Sequence, residues 1–300
     1  MCLEAGDEVV ALSRSPEERT PQGARATALD LADADATLAA VRDAAPQVVY
    51  HLAALASVPE SWEHPRRVVT ANPLITLNVL EAVRAAAPGA RVVVVGTGEV
   101  YGPPERLPVD EDAPLRPQNP YAVSKAAGDL LAGMYADAHG LAVSRVRAFN
   151  HGGPGQTPDY VVAALARQVA AATRAGERRV RVVTGNPEPR RDFTDVRDVA
   201  RAYRLLAERA APGAYNVCSG RTASVRDLLA MLEATAEVEI EHVVDPDLVR
   251  AHDVMEVRGS HERLTAATGW EPEIPLERTL ADTVAWWVEQ LALDSEAAPE

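Results

Sequence analysis

The sequence predicts an α/β fold in which helices cover both faces of a doubly wound parallel sheet. Two observations support this. Short apolar stretches alternate with longer helical ones through the first half of the chain, and Arg91–Val95 is apolar at every position after its first. Alternation of this kind is typical of parallel sheets, because their inner strands are buried on both faces.

The individual elements follow from local patterns. Gly6 stops a short helical segment at residues 3–5, since glycine commonly occupies the position after a helix end. Asp33 is placed to cap a helix start. We expect strands at 8–12, 23–28, 47–52, 91–95 and 142–148, and helices at 34–45, 74–86 and 121–139. The last residues, 294–300, are expected to be a frayed tail.

Bulk properties restrict the class of protein. The formal net charge of -14 argues against a nucleic-acid partner or an anionic membrane surface. No apolar run is long enough to predict a membrane span. The two cysteines, Cys2 and Cys218, do not form a disulfide framework in this reading, which fits a reducing cytoplasm. We identify no metal-ligand motif.

One pair of residues has spacing suited to acid–base chemistry. Tyr121 and Lys125 are four residues apart, on one face of a predicted helix. A neighbouring ammonium favours the phenolate and is expected to lower a tyrosine pKa by roughly 1–3 units, which would make the phenol a usable proton donor near neutrality. Thr97 follows the strand 91–95 and can hydrogen-bond the phenol or a substrate oxygen. By itself, however, this spacing is most often a partly buried Tyr beside a solvated Lys.

Three motifs in order give the pair a context. "VVVVGTGEVYG", "NPYAVSK" and "VRAFNHGGPGQ" occur with suitable spacing on the α/β pattern. The chain resembles the extended short-chain dehydrogenase/reductase family, which includes sugar-nucleotide epimerases, dehydratases and reductases. The resemblance implies a Rossmann-like domain in which Thr97, Tyr121 and Lys125 are catalytic, and in which Lys125 also binds the nicotinamide ribose.

The resemblance also implies a segment that this sequence does not contain. Family members begin with a strand, a Gly-x-x-Gly-x-x-Gly loop and a helix whose N-terminus holds the cofactor pyrophosphate. Met1 falls near the end of that helix, so we expect a sheet without its first strand and glycine loop. A misplaced start or truncated chain would explain this, and so would a natural variant with weakened cofactor binding.

The cofactor is expected to be NADP(H), with NAD(H) as the other possibility. An acidic residue after the second family strand usually selects NAD, whereas an Arg accommodates a 2′-phosphate, and here Arg14 follows that strand. Further cofactor contacts are implied by the resemblance for these residues: Asp30 and Leu31 at the adenine, Leu52, Ala53 and Ala54 at a strand end, and His151 and Gln156 near the nicotinamide.

Later motifs resemble the GDP-mannose branch of the family, in particular its GDP-4-dehydro-6-deoxy-D-mannose reductases. They lie at 149–156, 185–203, 215–220 and 244–254. The candidate substrate-binding residues are Ser57, Thr97, Asn150, Arg191, Arg250 and Asp253, with the two Arg side chains suited to diphosphate oxygens. Asn72 matches a family position at an expected helix start. Glu99, two residues after Thr97, has the spacing of the base that removes the C5 proton in dehydratases.

The predicted function is NAD(P)H-dependent reduction of the C4 ketone of a GDP-linked 4-keto-6-deoxyhexose, giving GDP-D-rhamnose or its C4 epimer. The alternatives are a GDP-mannose 4,6-dehydratase that uses Glu99, and a truncated, non-catalytic sugar-nucleotide binder. The resemblance implies a cofactor domain made of 1–152 together with 192–217, where the chain returns to it. The substrate domain is then 153–191 and 218–293. It also implies a homodimer formed through the two helices at 74–86 and 121–135.

Overall fold

The first strands form a small parallel pair. In the computed structural model, which describes residues 1–15, 20–249 and 254–297 (294–297 by backbone only), a 3-10 turn at Leu3–Ala5 ends at Gly6, whose φ is 84°. Strands β1 (Val10–Ser13) and β2 (Arg25–Ala28) then pair in parallel, with Val10 opposite Arg25. Both strands are shorter at their N-terminal ends than the sequence pattern predicts.

A second parallel sheet forms the centre of the first half of the chain. Its order is β3-β4-β5-β9, and all three pairings are parallel. Within the described residues no strand connects β1 to β3, so the two sheets are separate. The strands are β3 (Val48–His51), β4 (Arg91–Val95), β5 (Ala142–Ala148) and β9 (Gly213–Val217).

Helices cover this sheet on both faces. The Asp33 carboxylate accepts a hydrogen bond from the Ala36 amide and caps α1, as predicted. One group of buried side chains joins α1, α3, α4 and the sheet, and another joins the sheet to α6 and α8. The helices concerned are α1 (Ala34–Ala44), α2 (Val58–Glu63), α3 (Pro65–Ala86), α4 (Pro120–His139), α6 (Val196–Arg209) and α8 (Glu262–Thr268).

Helix α3 begins nine residues before its predicted start. The predicted range, 74–86, lies after Pro73, and proline disfavours a helix interior. In the structure α3 passes through Pro73, and its first turns are fixed by the fully buried Val68 and by Asn72, which is 2% exposed. Asn72 therefore lies inside the helix rather than at its start, and α2 before it was not predicted.

The remaining elements form a second packed unit. A sheet of order β10-β8-β12, with β6 also paired to β8, packs beside the parallel pair β7 and β11. A third buried cluster joins α5, α7, α9 and these strands. The elements are β6 (Asn150–Gly152), α5 (Val161–Ala175), β7 (Arg179–Thr184), β8 (Arg190–Asp195), β10 (Thr222–Ser224), α7 (Val225–Ala236), β11 (Glu239–Val244), β12 (Glu256–Val257) and α9 (Leu276–Ala297).

The fold is Rossmann-like, with a smaller C-terminal part. We propose the division expected above, with 192–217 returning to the first part, since β9 is the fourth strand of the central sheet. Helix α9 continues through Ala297, which lies inside the range where a frayed tail is expected. None of the helices in the described ranges is both long and apolar enough to cross a membrane.

Candidate active site

The turn after β4 presents the first two candidate residues. Gly96 has no room for a side chain, because a Cβ there would lie 2.7 Å from the Val146 carbonyl oxygen. Thr97 is 9% exposed, and its hydroxyl accepts a hydrogen bond from the Glu99 amide at 3.2 Å. A 3-10 turn at Gly98–Tyr101 follows. The close packing at Gly96 thus fixes where Thr97 and the exposed Glu99 emerge from the sheet.

Helix α4 carries the other two candidates. Asn119 caps the helix, with its side-chain oxygen accepting from the Ala122 amide at 2.7 Å, and Pro120 occupies the first turn. The Thr97 hydroxyl lies close enough to the Tyr121 phenol to lower its pKa. Lys125, one turn later, is only 8% exposed. Thr97, Glu99, Tyr121 and Lys125 therefore lie around one site at the carboxyl end of β4.

The electrostatics of Tyr121 differ from the sequence prediction. Burial raises the pKa of its phenol, the carboxylate of Glu99 and the phenolate of Tyr160, once ionised, raise it further, and the Thr97 hydroxyl lowers it. The Lys125 charge is not among the causes, so the predicted lowering of this pKa is wrong for this structure. Desolvation is the largest of these causes although Tyr121 as a whole is only partly buried, and the phenol is held in its protonated, proton-donating form.

Burial has the opposite effect on the two nearby bases. It lowers the pKa of Lys125 from 10.5 to about 8. Burial and the Lys125 charge together lower the pKa of His51 to about 3, so this imidazole is neutral near pH 7. Thr76 donates its hydroxyl proton to the Asn72 carbonyl and therefore accepts from His51 Nε2, at 3.0 Å. This fixes the His51 tautomer with the proton on Nε2.

Sequence reasoning missed the supports of the site. Asn72 exchanges two hydrogen bonds with the Leu55 backbone, accepting at 2.8 Å and donating at 3.1 Å, and donates to the Ser124 hydroxyl at 2.8 Å. It therefore ties the segment after β3 to α4. Asn119 donates to the Glu99 carboxylate at 2.7 Å. Sequence analysis named Asn72 as a family position without these contacts, and the place of Asn119 just before Pro120 is a helix-cap signal that could have identified it.

The carboxyl end of β3 offers an apolar surface. Leu52 is 59% exposed, although His51 just before it is 4% exposed. Ala53 is exposed and Ala54 partly buried. An exposed leucine at the carboxyl end of a parallel strand fits a site covered by a planar ligand, because such sheets bind ligands at their carboxyl ends. Arg14, after β1, is also exposed.

The other expected cofactor contacts already have roles in the protein itself. The Asp30 carboxylate accepts from the Ala32 amide at 2.9 Å, and Leu31 packs against the core. His151 Nδ1 pairs with the Phe149 carbonyl at 3.1 Å. Gln156 donates to the His151 carbonyl at 2.9 Å, while its own side-chain oxygen is buried without a partner among the described residues.

The expected substrate contacts are only partly described. The Ser57 hydroxyl caps α2 by accepting from the Glu60 amide at 3.2 Å, and Asn150 is exposed on β6. Arg191 donates to the Val254 carbonyl at 2.7 Å. Arg250 and Asp253 lie outside the described residues. No group of three or more His, Cys, Asp or Glu placed to hold a metal occurs in the described part of the chain.

The chain is similar to known proteins over most of its length. A family model described as GDP-mannose 4,6 dehydratase matches residues 5–283. The GDP-6-deoxy-D-mannose reductase of Pseudomonas aeruginosa is 40% identical over 245 residues, which cover 81% of this chain and 80% of that protein.

Two solved structures have the same fold. The structure of RMD from Pseudomonas aeruginosa complexed with NADPH matches with a TM-score of 0.80 and 38% identity, over 87% of each chain. The UDP-glucose 4-epimerase of Thermus thermophilus, in complex with NAD, matches with a TM-score of 0.84 and 32% identity, over 95% of this chain and 93% of that one. The chain therefore belongs to the GDP-mannose 4,6-dehydratase family, within the extended short-chain dehydrogenases/reductases.

Proposed function

We propose that the protein reduces the C4 ketone of GDP-4-dehydro-6-deoxy-D-mannose with NADPH, giving GDP-D-rhamnose or GDP-6-deoxy-talose. The observation that carries this proposal is the 40% identity with a GDP-6-deoxy-D-mannose reductase across most of both chains. The proximity of Thr97 to the protonated Tyr121 supports it, because ketone reduction needs a protonated donor beside the carbonyl oxygen.

The residues present fit the reacting half of a nicotinamide cofactor. The apolar surface at Leu52 suits a planar ring, and the buried Lys125 ammonium suits ribose hydroxyls. NADPH is favoured over NADH because Arg14 follows β1 and because the matching reductase structure holds NADPH, although a matching epimerase holds NAD. Bound NADPH would supply the hydride that forms the new C–H bond at C4.

The chain's own residues then complete the reduction. As negative charge develops on O4, the Thr97 hydroxyl donates a hydrogen bond to it, and Tyr121 transfers its phenolic proton to it. In this proposal Lys125, one helical turn away, holds the ribose of the cofactor. In this proposal Asn150 and Ser57 contact the sugar, and Arg191, Arg250 and Asp253 bind the GDP part.

The test is a two-enzyme assay. GDP-mannose is converted to its 4-keto-6-deoxy form by a separate dehydratase, that enzyme is removed, and this protein is added with NADPH. We expect NADPH consumption and one GDP-6-deoxyhexose, whose C4 configuration is read by NMR. Tyr121→Phe should abolish consumption while GDP-sugar binding persists. Tyr135→Phe, on the same helix but bonded to Glu81, is the control. Failure of the wild-type protein to reduce this ketone would refute the proposal.

A second candidate, GDP-mannose 4,6-dehydratase, is favoured by one observation. Glu99 is exposed beside Tyr121 and held by Asn119, as a C5 base would have to be. The same assay separates the two functions. A dehydratase eliminates water from GDP-mannose without added reductant, whereas the proposed reductase leaves GDP-mannose unchanged. The non-catalytic binder predicts neither reaction.

We also propose a homodimer formed through α3 and α4. Helix α4 exposes Val123, Leu130 and Met134 at 42%, 62% and 49%, and the spacing 123, 130 and 134 places them on one face. Val69 and Leu74 of α3 are exposed at 37% and 43%. Two packed helices with exposed apolar residues can form a self-complementary interface with a second copy.

A further inference from the structure

Helix α4 carries a further polar residue, Asp129, on the side of Tyr121 and Lys125. Asp129 follows Lys125 by four residues and is 4% exposed, and both residues line a cavity of about 10 Å³. Its carboxylate accepts two hydrogen bonds from Arg147 of β5, from Nε and from Nη2, each at 3.1 Å. Arg145 adds a third, also at 3.1 Å. This paired geometry fixes direction as well as distance.

Arg147 also reaches the turn that follows Thr97. The guanidinium is 5% exposed and lies 5.1 Å from the centre of the Tyr101 ring. Its Nη1 donates to the Tyr101 hydroxyl at 3.0 Å and to the Glu111 carbonyl at 2.9 Å. Tyr101 is the last residue of the turn that begins beside Thr97 and contains Glu99. Asp129, Arg147 and Tyr101 thus connect helix α4 to this turn.

Tyr101 is linked in turn, through Asn216, to the backbone of two loop residues, Val109 and Ser260. The Tyr101 hydroxyl donates to the Asn216 side-chain oxygen at 2.6 Å. The Asn216 amide group in turn donates to the carbonyls of Val109 at 3.0 Å and Ser260 at 3.3 Å. Every side chain in this path is less than a tenth exposed, so solvent screens it little.

We propose that Asp129, Arg147 and Tyr101 act as positioning residues for the reaction proposed above. They hold the turn bearing Thr97 and Glu99 at a fixed distance from the helix bearing Tyr121 and Lys125. Buried ion pairs often add little net stability compared with apolar residues of similar volume, because both charges lose water. A path of charged and polar groups between two catalytic elements therefore suits precise placement, on which proton transfer depends strongly.

The test compares two substitutions that each remove one tyrosine hydroxyl. Tyr101→Phe breaks the path and leaves its ring in place, whereas Tyr135→Phe removes a hydroxyl of α4 that is bonded to Glu81 outside the path. We expect Tyr101→Phe to lower kcat by roughly tenfold, with KM for both substrates changed less than about twofold. We expect no such fall for Tyr135→Phe at a similar melting temperature.

Hydrogen exchange gives a readout that does not depend on turnover. Amides of residues 98–102 should exchange faster in Tyr101→Phe than in Tyr135→Phe, while amides of β4 stay unchanged. If neither exchange nor kcat differs between the two variants, the positioning role is wrong. An inactive wild-type protein would refute the proposed reaction alone, since faster exchange at 98–102 would still support the placement of the turn.

Discussion

Asn119 donates a hydrogen bond to Glu99 at 2.7 Å and, with its side-chain oxygen, caps the helix that carries Tyr121. One amide side chain therefore holds the Glu99 carboxylate of the turn after β4 and caps the first turn of α4. Asn119 thus has two roles, helix capping and placement of the Glu99 carboxylate, and different substitutions at this position remove one role or both.

Asn119→Ser should keep the cap and lose the contact with Glu99, because serine caps helices well but its side chain is too short to reach the carboxylate. Asn119→Ala should lose both and lower the free energy of unfolding by about 1 kcal/mol. If Glu99 acts in catalysis, both variants lose activity, and only the Ala variant loses stability in denaturant titrations. Full activity in the Ser variant would show that the Asn119–Glu99 contact does not matter.

Gly96→Ala should disturb the site directly. The added methyl group would lie 2.7 Å from the Val146 carbonyl oxygen, a distance that Cβ atoms do not tolerate, so Thr97 must shift. We expect kcat to fall at least roughly tenfold. Gly89→Ala is the matched control, because a Cβ there has no neighbour within 4 Å. Equal activity of the two variants would contradict the close fit at Gly96.

Lys125 should give stability a characteristic pH dependence. Its pKa is lowered from 10.5 to about 8 by burial, so between these values the unfolded chain binds a proton that the folded chain does not. Stability contributed by this residue therefore rises with pH across that window and is reduced by a constant amount below it. Lys125→Met should be more stable than wild type below pH 8, with the difference shrinking toward pH 10.5. Melting temperatures across that range test this, and a constant difference would contradict it.

Leu130→Asp should dissociate the proposed dimer, because it places a charge at the most exposed apolar position of α4. Light scattering after size exclusion should give the dimer mass for wild type and the monomer mass for this variant. Leu293→Asp, at a leucine of similar exposure on α9, should leave the mass unchanged. A wild-type protein that is monomeric at micromolar concentration would refute the interface.

Part of this structure could be predicted from local sequence. The apolar run Arg91–Val95 forms the predicted inner strand, and Ala142–Ala148 matches its prediction to the residue. The early start of α3 could not be predicted, because the contacts of Asn72 with Leu55 and Ser124 that stabilise it are remote in sequence.

The direction of the Tyr121 pKa shift could not be predicted from the sequence either. Four-residue spacing identified Tyr121 and Lys125, but spacing does not reveal how deeply a phenol is buried. Burial reversed the expected direction of the Tyr121 pKa shift. The Asp129–Arg147–Tyr101 path had no local signal, since its members lie on α4, β5 and the turn after β4 and meet only in the folded chain.

In the proposed reaction, hydride passes to C4 of the hexose while Tyr121 protonates O4. An isotope experiment follows both events, with NADPH carrying deuterium at the transferred position of the nicotinamide and GDP-4-dehydro-6-deoxy-D-mannose as substrate. We expect deuterium at C4 of the product hexose by NMR, and no labelled product from Tyr121→Phe. Deuterium at another carbon, or a labelled product from Tyr121→Phe at the wild-type rate, would contradict it.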